Sequence, residues 1–453
     1  MSEATKERLF KYVDSHRDEL TDFLCKLIEL KPVNPGIPGK GEELAAQEWI
    51  RDQMVGIGFD KVDFWAEDDA KRRPNVVGTI RGMGGGRSLI FNGHVDVVPV
   101  YEAQLPRWSR NPWKAEVSDG KVWGRGASDM LGGIASMIFA AKAVKDVGVK
   151  LKGDLYVESV SGEESNEGGG IGTSATVQRG YRAPLAVVPE PTKGEIQTVT
   201  CGTFLFEITV PGKEIHTALK NLTAYPQRYG VPHGSDVGVD AIGKTIKYLT
   251  AFQEMERNWI FRWRHAVLGS GGQPVPKDQQ GVGVFTITPT LIEGGTYLAS
   301  LAGYCKVTLQ VYYPSWMKGQ EVWAEVKKVI QSISLTDDWL RDHPAKLRID
   351  KSIEGTDDYI PQWEPNEVAT DDEGVTATVK AWEETTGEQA IISGFKAVCD
   401  VTYFGKKGIP AIIFGPGDFS RGVHGPDESI SIDDMVKCCK TYIALAVDWC
   451  GAS

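Results

Sequence analysis

Three short strand-like runs in this chain end in residues that can hold a metal ion or move a proton. Leu89, Ile90 and Phe91 lead through Asn92-Gly93 to His94 and Asp96; residues 155–160 lead to Ser161-Gly162-Glu163-Glu164; residues 184–188 lead to Pro189-Glu190. A short apolar run between turn residues reads as a strand in a sheet core, and open α/β sheets hold their ligands at strand ends. A neutral imidazole suits zinc-like metals, and a carboxylate two residues on can hold its ring in position. Adjacent carboxylates form either a solvated turn or a division of labour, one binding metal while its neighbour moves protons. Two more candidates lie elsewhere. Asp129 opens a helix over 130–144, where an acid is often only a cap, but the long Trp- and Arg-rich loop at 106–127 carries it back towards the same sheet edge. His424 sits on a loop just past the apolar run at 411–414.

The elements that must position these groups follow from periodicity. Apolar residues at helical spacing predict an amphipathic helix over 4–31, and a Pro/Gly loop at 31–43 leads to a second helix over 42–54. Two short strands are expected within 60–80. From 197 to 355 the texture changes: strands at 203–210, 282–291 and 304–312 alternate with helices near 238–256 and 319–334. The stretches 217–236 and 257–281 are excursions from this unit, the second carrying Trp259, Trp263 and His265, which read first as packing. A helix over 371–386, a strand at 411–414 and a helix from Ile432 return the chain to its first style. The expected fold class is α/β: a catalytic domain, 1–196 and 356–453, with a mixed sheet flanked by helices. A smaller α+β domain, 197–355, is inserted as a lid and dimerisation unit.

Composition bounds the partners. The chain has 453 residues and a net charge of −11, with no basic stripe, which argues against a nucleic-acid surface. The charged start, MSEATKERLF, lacks the apolar core of a signal peptide, and no uninterrupted apolar run approaches spanning length. Seven cysteines, scattered without zinc-ribbon spacing, fit reduced thiols in a cytoplasmic protein.

Taken together, NGHVDVVP at 92–99, GRGASDMLGG at 124–133, SGEES at 161–165, VPEPT at 188–192 and GPGDFSRGVHGPDE at 415–428 resemble the M20 metallopeptidases, the co-catalytic zinc family of glutamate carboxypeptidases, aminoacylases and acetylornithine and succinyl-diaminopimelate deacylases. The resemblance spans nearly the whole chain. It implies that Asp129 bridges two divalent ions, zinc or alternatively manganese or cobalt. His94 and Glu190 complete one ion's protein ligands, and Glu164 and His424 the other's. It implies that Glu163 is the general base, that Asp96 orients His94, and that His216, in PGKEIHTA, stabilises the oxyanion from the lid of the same or a neighbouring subunit. A homodimer or higher homo-oligomer acting on a small molecule is the corresponding expectation.

Two departures bear on substrate. The family's lid turn commonly carries an Asn where GGTYLASLAGY has Ala299, and the next strand commonly carries an Arg that grips the substrate carboxylate, where KVTLQVYYPSW has Val311, Tyr312 and Tyr313. The usual clamp is absent or rebuilt, with Arg262 and Arg264 as candidates, and an aromatic-lined pocket for a flat or bulky group is expected. The leading function is hydrolysis of an amide C–N bond. The alternatives are a metal-dependent deaminase releasing ammonia from an aromatic or otherwise activated amine, and a non-catalytic metal-binding or assembly protein, against which the intact Glu163 argues.

Overall fold

The computed structural model describes residues 3–36, 41–67, 72–165, 170–224, 232–268, 285–349 and 363–452. Parts of the expected 31–43 loop and of both excursions, the start of the strand expected from 282, and the expected domain boundary at 355–356 lie outside these residues.

An eight-stranded mixed sheet has the order Lys61–Ala66, Pro74–Ile80, Leu155–Val160, Leu89–His94, Ala186–Val188, Ala411–Ile413, Ile196–Thr200, Ile392–Phe395. Four adjacent strands in its middle, 155–160, 89–94, 186–188 and 411–413, run parallel. Parallel strands joined by crossovers must all finish at the same edge. The groups that follow each of them therefore emerge together, although His94 and His424 are far apart in the chain. These strands are buried almost throughout because helices cover both faces of such a sheet. The helices Gly132–Asp146 and Ile432–Cys450 are mostly buried, the Ala- and Gly-rich face of the first allowing close approach, and Tyr442 on the second donates its hydroxyl to the Phe414 carbonyl at 2.8 Å. Among the described residues one stretch, 127–146, is apolar and long enough to cross a membrane, and 94% of its apolar window is buried inside the molecule, the mark of a core helix.

A second, four-stranded antiparallel sheet has the order Ile287–Gly294, Tyr304–Tyr313, Gly202–Pro211, Lys346–Ile349. It carries its own core, in which Phe206, Trp323 and Tyr248 are buried with the helices Ala241–Arg262 and Gly319–Leu335. Trp259 and Trp263 stack at 4.7 Å within this core, so they are packing residues. The crossing between the two sheets falls at Cys201, because Ile196–Thr200 belongs to the first sheet and Gly202–Pro211 to the second.

Two local expectations need correction. The single helix expected over 4–31 is two, Glu3–Ser15 and Arg17–Glu29, broken at His16, whose Nδ1 lies 2.8 Å from the Tyr12 carbonyl oxygen. The helix expected from Met130 begins at Gly132, and Asp129 precedes it in a wide turn, 127–131, with extended dihedrals (φ −119°, ψ 99°). Asp129 is thus no helix cap.

Candidate metal centre

His94 closes its strand with its side chain 1% exposed. Gly93 lets the strand lie against Met130, since a Cβ there would meet the Met130 Cε at 2.9 Å. The His94 Nδ1 lies 2.9 Å from the carbonyl oxygen of Asp96, which makes Nδ1 the protonated nitrogen and leaves the Nε2 lone pair facing the cluster. The orienting contact expected of the Asp96 carboxylate is made by its backbone carbonyl. The carboxylate accepts instead from the backbone N–H groups of Gly162 (2.9 Å), Glu163 (3.3 Å) and Glu164 (3.0 Å), and from Asn34 Nδ2 (2.6 Å). Asp96 thereby fixes the turn that carries both glutamates.

Asp129 stands between the two imidazoles. Its Oδ1 lies 3.4 Å from His94 Nε2, and its Oδ2 lies 3.4 Å from His424 Nε2. Glu190 Oε1 is 3.5 Å from His94 Nε2, and Glu164 Oε2 is 3.1 Å from His424 Nε2. Two sets of three ligand atoms result, His94–Asp129–Glu190 and Asp129–Glu164–His424, each within 4.8 Å of one another and sharing Asp129. Glu163 belongs to neither set, its Oε2 3.8 Å from His94 Nε2.

Electrostatically this is a crowd of buried acids short of positive charge. Burial first, then Asp129, drives the Glu190 carboxyl up to about 8 against the pull of His94. Burial would depress His424, but Glu164 and Asp129 outweigh it and hold the imidazole up at about 11. Burial, with Glu190 and Glu164 adding to it and His94 opposing, raises Glu163 well above the usual carboxylate range. Glu190 Oε1 is shut off from solvent and meets no hydrogen-bond partner among the described residues. Three carboxylates and two imidazoles around one shared aspartate, one oxygen orphaned, fit a pair of divalent cations: they are the oxygen and nitrogen donors that zinc, manganese and cobalt take.

Sequence reasoning passed over the groups that hold this arrangement. Glu428, 1% exposed, accepts from Arg125 Nη1 (2.6 Å) and from the backbone N–H groups of Gly126, Ser128 and Asp129 (2.9–3.1 Å). Arg125 also donates to the Gly425 carbonyl at 3.1 Å, tying the His424 loop to the Asp129 turn. Both residues stand inside the quoted motifs, and their charge was the misleading signal, since Arg and Glu are almost never fully buried unless paired.

On the strand beside that of His94 lies another fully buried acid, Glu158. Thr176 Oγ1 contacts Glu158 Oε2 at 2.8 Å and the Thr173 carbonyl at 3.0 Å. The Thr176 hydroxyl and Asn92 Nδ2 both donate to that carboxylate oxygen, each at 2.8 Å. Burial, against hydrogen bonds from Asn92 and Thr176, pushes Glu158 up to about 7. A carboxyl raised in this way stabilises the fold fully below its unfolded value of 4.5 and loses that contribution as pH rises through about 7. Unfolding free energy of the wild type should therefore fall by roughly 3 kcal/mol from this group between pH 4.5 and 8. Glu158→Gln should flatten that slope; parallel curves for the two proteins would contradict the assignment.

Beside the cluster opens a cavity of about 220 Å³, lined by Asp129, Glu163, Glu164, Glu190 and His424 on one side. Gln310, Tyr312, Trp363, Phe395 and Phe419 line the other. Strand alternation sends Tyr312 to the cavity while Val311 and Tyr313 are buried in the second core. Neither nominated arginine lines it, and Arg262 is engaged with Glu325 at 2.9 Å. His216 is not brought to the cluster: it lies exposed beside Ser300, its Nδ1 accepting from the Ala218 N–H at 3.1 Å.

Comparison with known proteins decides the family. The model of peptidase family M20/M25/M40 matches residues 90–448. This chain belongs to that family. Among its M20 relatives are the N-formyl-4-amino-5-aminomethyl-2-methylpyrimidine deformylases of Halalkalibacterium halodurans and Bacillus subtilis, each 31% identical over 449 residues, covering 98% of this chain and 97% of theirs. The fold is similar to that of human carnosine dipeptidase 1, with a TM-score of 0.70, 14% identity and 98% of both chains covered. This M20 protein is accordingly a metal-binding hydrolase of amide C–N bonds. The non-catalytic reading falls, and the deaminase reading gains no support from these relatives.

Proposed function

We propose that this M20 hydrolase removes a small acyl group, formyl foremost, from the amino group of a flat heteroaromatic amine. The observation that carries the reading is the cavity wall facing the acid cluster, where Tyr312, Trp363, Phe395 and Phe419 stand and, among the described residues, no arginine does. That wall suits a ring better than an amino-acid carboxylate. Full-length likeness to deformylases of a formylated aminomethylpyrimidine points the same way.

In this reading His94, Asp129 and Glu190 hold one divalent ion and Asp129, Glu164 and His424 the other, zinc or alternatively manganese or cobalt. Bound there, the ions supply Lewis-acid polarisation of the amide carbonyl and acidify water. Glu163 accepts the proton of the attacking water and delivers it to the leaving nitrogen as the C–N bond breaks, so that water and formamide become formate and free amine. Asp96 and Glu428 position the turns that present these groups.

Residues 1–196 and 356–453 form the metal-binding unit and 197–355 the lid. The outer strand of the lid sheet, Ile287–Gly294, exposes Leu291 and Ile292, and the turn after it exposes Tyr297 and Leu298, a combination suited to pairing with a second copy. His216, not among the residues that line the cavity of its own chain, is then the oxyanion donor offered across that homodimer. A one-chain mass by light scattering would contradict the dimer. Seven free cysteines, most of them buried, support a cytoplasmic location, which recovery of the protein in a secreted fraction would overturn.

The test is product analysis on a panel of N-formyl and N-acyl amines, dipeptides and N-acyl amino acids, before and after chelation. Formate and a heteroaromatic amine should appear, with activity falling more than about 100-fold on chelation and returning with Zn²⁺ or Mn²⁺. Preferential release of amino acids would replace the substrate class, and turnover unaffected by chelation would remove the metal mechanism.

A further inference from the structure

Among the described residues that line the cavity at the acid cluster, Tyr312 alone carries a hydroxyl, and no described residue takes up its hydrogen. We propose that Tyr312 determines specificity by donating this hydrogen to a neutral acceptor, a ring nitrogen, on the amine half of the substrate, and that Gln310 holds the hydroxyl in the orientation that leaves the hydrogen free. The inference rests on the deacylase reading above.

Gln310 and Tyr312 stand two apart on the strand Tyr304–Tyr313, so their side chains share a face, and both line the cavity. Gln310 Nε2 donates to the Tyr312 hydroxyl oxygen at 3.0 Å. Thr203, opposite Tyr312 on the neighbouring strand, decides which way the Gln310 carboxamide is turned. The Thr203 hydroxyl donates its one hydrogen to the Val311 carbonyl at 2.7 Å. It can only accept from Gln310, whose Nε2 lies 3.5 Å away; an amide oxygen in that place would face a lone pair. Turned this way, the carboxamide occupies a lone pair of the Tyr312 oxygen and leaves the hydroxyl hydrogen to point elsewhere.

The surroundings say what that hydrogen can meet. Burial, with Cys201 and Glu163 adding to it and Gln310 opposing, raises the Tyr312 hydroxyl above its ordinary value of 10.0. The phenol therefore keeps its proton at neutral pH, and Glu163 acts on it from the facing wall. No Lys or Arg lines the cavity among the described residues. A substrate carboxylate placed there would give up its water for a single neutral donor, whereas a ring nitrogen asks for no more than one. Because the scissile amide belongs at the acid cluster, the group that meets the opposite wall is the amine half. Phe395 and Phe419, rings 5.2 Å apart and inclined at 54°, line the same cavity and offer apolar surface to the ring that carries the nitrogen.

The test measures kcat and KM by formate release on the metal-loaded enzyme for two formamides of matched size, an N-formyl-aminomethylpyrimidine and N-formylbenzylamine. Wild type should prefer the pyrimidine by about tenfold in kcat/KM, the worth of one neutral hydrogen bond. Tyr312→Phe keeps the ring and removes only the hydroxyl. It should abolish the preference by raising KM for the pyrimidine about tenfold, with kcat unchanged and the benzyl compound unaffected. Gln310→Leu, which lets the hydroxyl turn, should lower the preference too, again through KM. A preference that survives Tyr312→Phe overturns the proposal, and so does an equal fall in kcat on both formamides, which would make Tyr312 part of the reaction or of the fold. Wild type releasing formate from both equally well overturns the role of Tyr312 while the deacylase reading stands. Formate from neither removes both.

Discussion

Replacing Glu163 with Gln should lower kcat by about 10³-fold while leaving both metal ions bound, because a positioned general base contributes 10²–10⁴ in rate. The geometry makes the two effects separable. Glu163 lies outside both three-ligand sets, its nearest approach being 3.8 Å to His94 Nε2, yet it lines the same cavity. Gln keeps the size of the side chain and removes only its ability to take a proton. The pH dependence follows in sign. Burial, with Glu190 and Glu164 nearby and His94 opposing, raises the Glu163 carboxyl above its ordinary range, and a base works only when deprotonated. Wild-type kcat/KM should therefore climb as pH rises and Glu163 loses its proton, and the variant should show no such limb. Equal rates for the two proteins by formate release, with metal content matched by elemental analysis, would remove Glu163 from the mechanism.

The second large effect is expected at a residue that contacts no substrate. Glu428→Ala should destabilise the protein by about 3–5 kcal/mol, the loss seen when one partner of a buried ion pair is removed. The Arg125–Glu428 pair is 2.6 Å apart with both side chains 1% exposed, so Arg125 would be left as a buried, unpaired charge. The N–H groups of Gly126, Ser128 and Asp129 would lose their acceptor as well. Asp129 would then be held less firmly between the two imidazoles, and metal affinity should fall by about 10–100-fold, as for other outer residues that orient ligands. Pairing Glu428→Ala with Arg125→Met should recover part of the stability, since the stranded charge is gone, but not the metal affinity. Urea unfolding and metal titration of the wild type and the two variants check this. A loss below 1 kcal/mol for Glu428→Ala would show that the pair is a bystander.

The legible part of the fold was whatever is written locally. Apolar runs at 89–91 and 184–188 mark strands because a buried parallel strand leaves no polar face to break the run, and 155–160 is a strand of the same kind despite Glu158 and Ser159 within it. Their polar endings mark the candidate ligands. Convergence of those endings is a different kind of fact: it depends on four strands being parallel, and nothing near His94 encodes its distance to His424. The likeness of five motifs to a known family supplied what local pattern could not.

Other features were hidden for identifiable reasons. His16 interrupts a helical periodicity that continues on both sides of it, so 4–31 read as one helix. Asp129 resembles a cap in sequence because caps and ligands are drawn from the same short acids, and only the backbone of 127–131 separates the two roles. Asp96 was assigned the right neighbour but the wrong atom, since a carboxylate and its own carbonyl cannot be told apart by spacing. Arg125, Glu428 and Glu158 were passed over as charged residues, and it is their hydrogen-bond partners, distant in the chain, that make their burial tolerable. The aromatic cavity wall was legible in part: Tyr312 followed from the lost arginine, whereas Trp363, Phe395 and Phe419 arrive from elements with no visible link to it.

The most direct test of the two-metal site is a crystal structure of the zinc-loaded protein with anomalous data collected across the zinc edge. Two peaks are expected on either side of Asp129, one in contact with His94 and Glu190 and the other with Glu164 and His424, with Glu163 touching neither. A single peak, or peaks whose ligands do not include Asp129, would contradict the account at its centre.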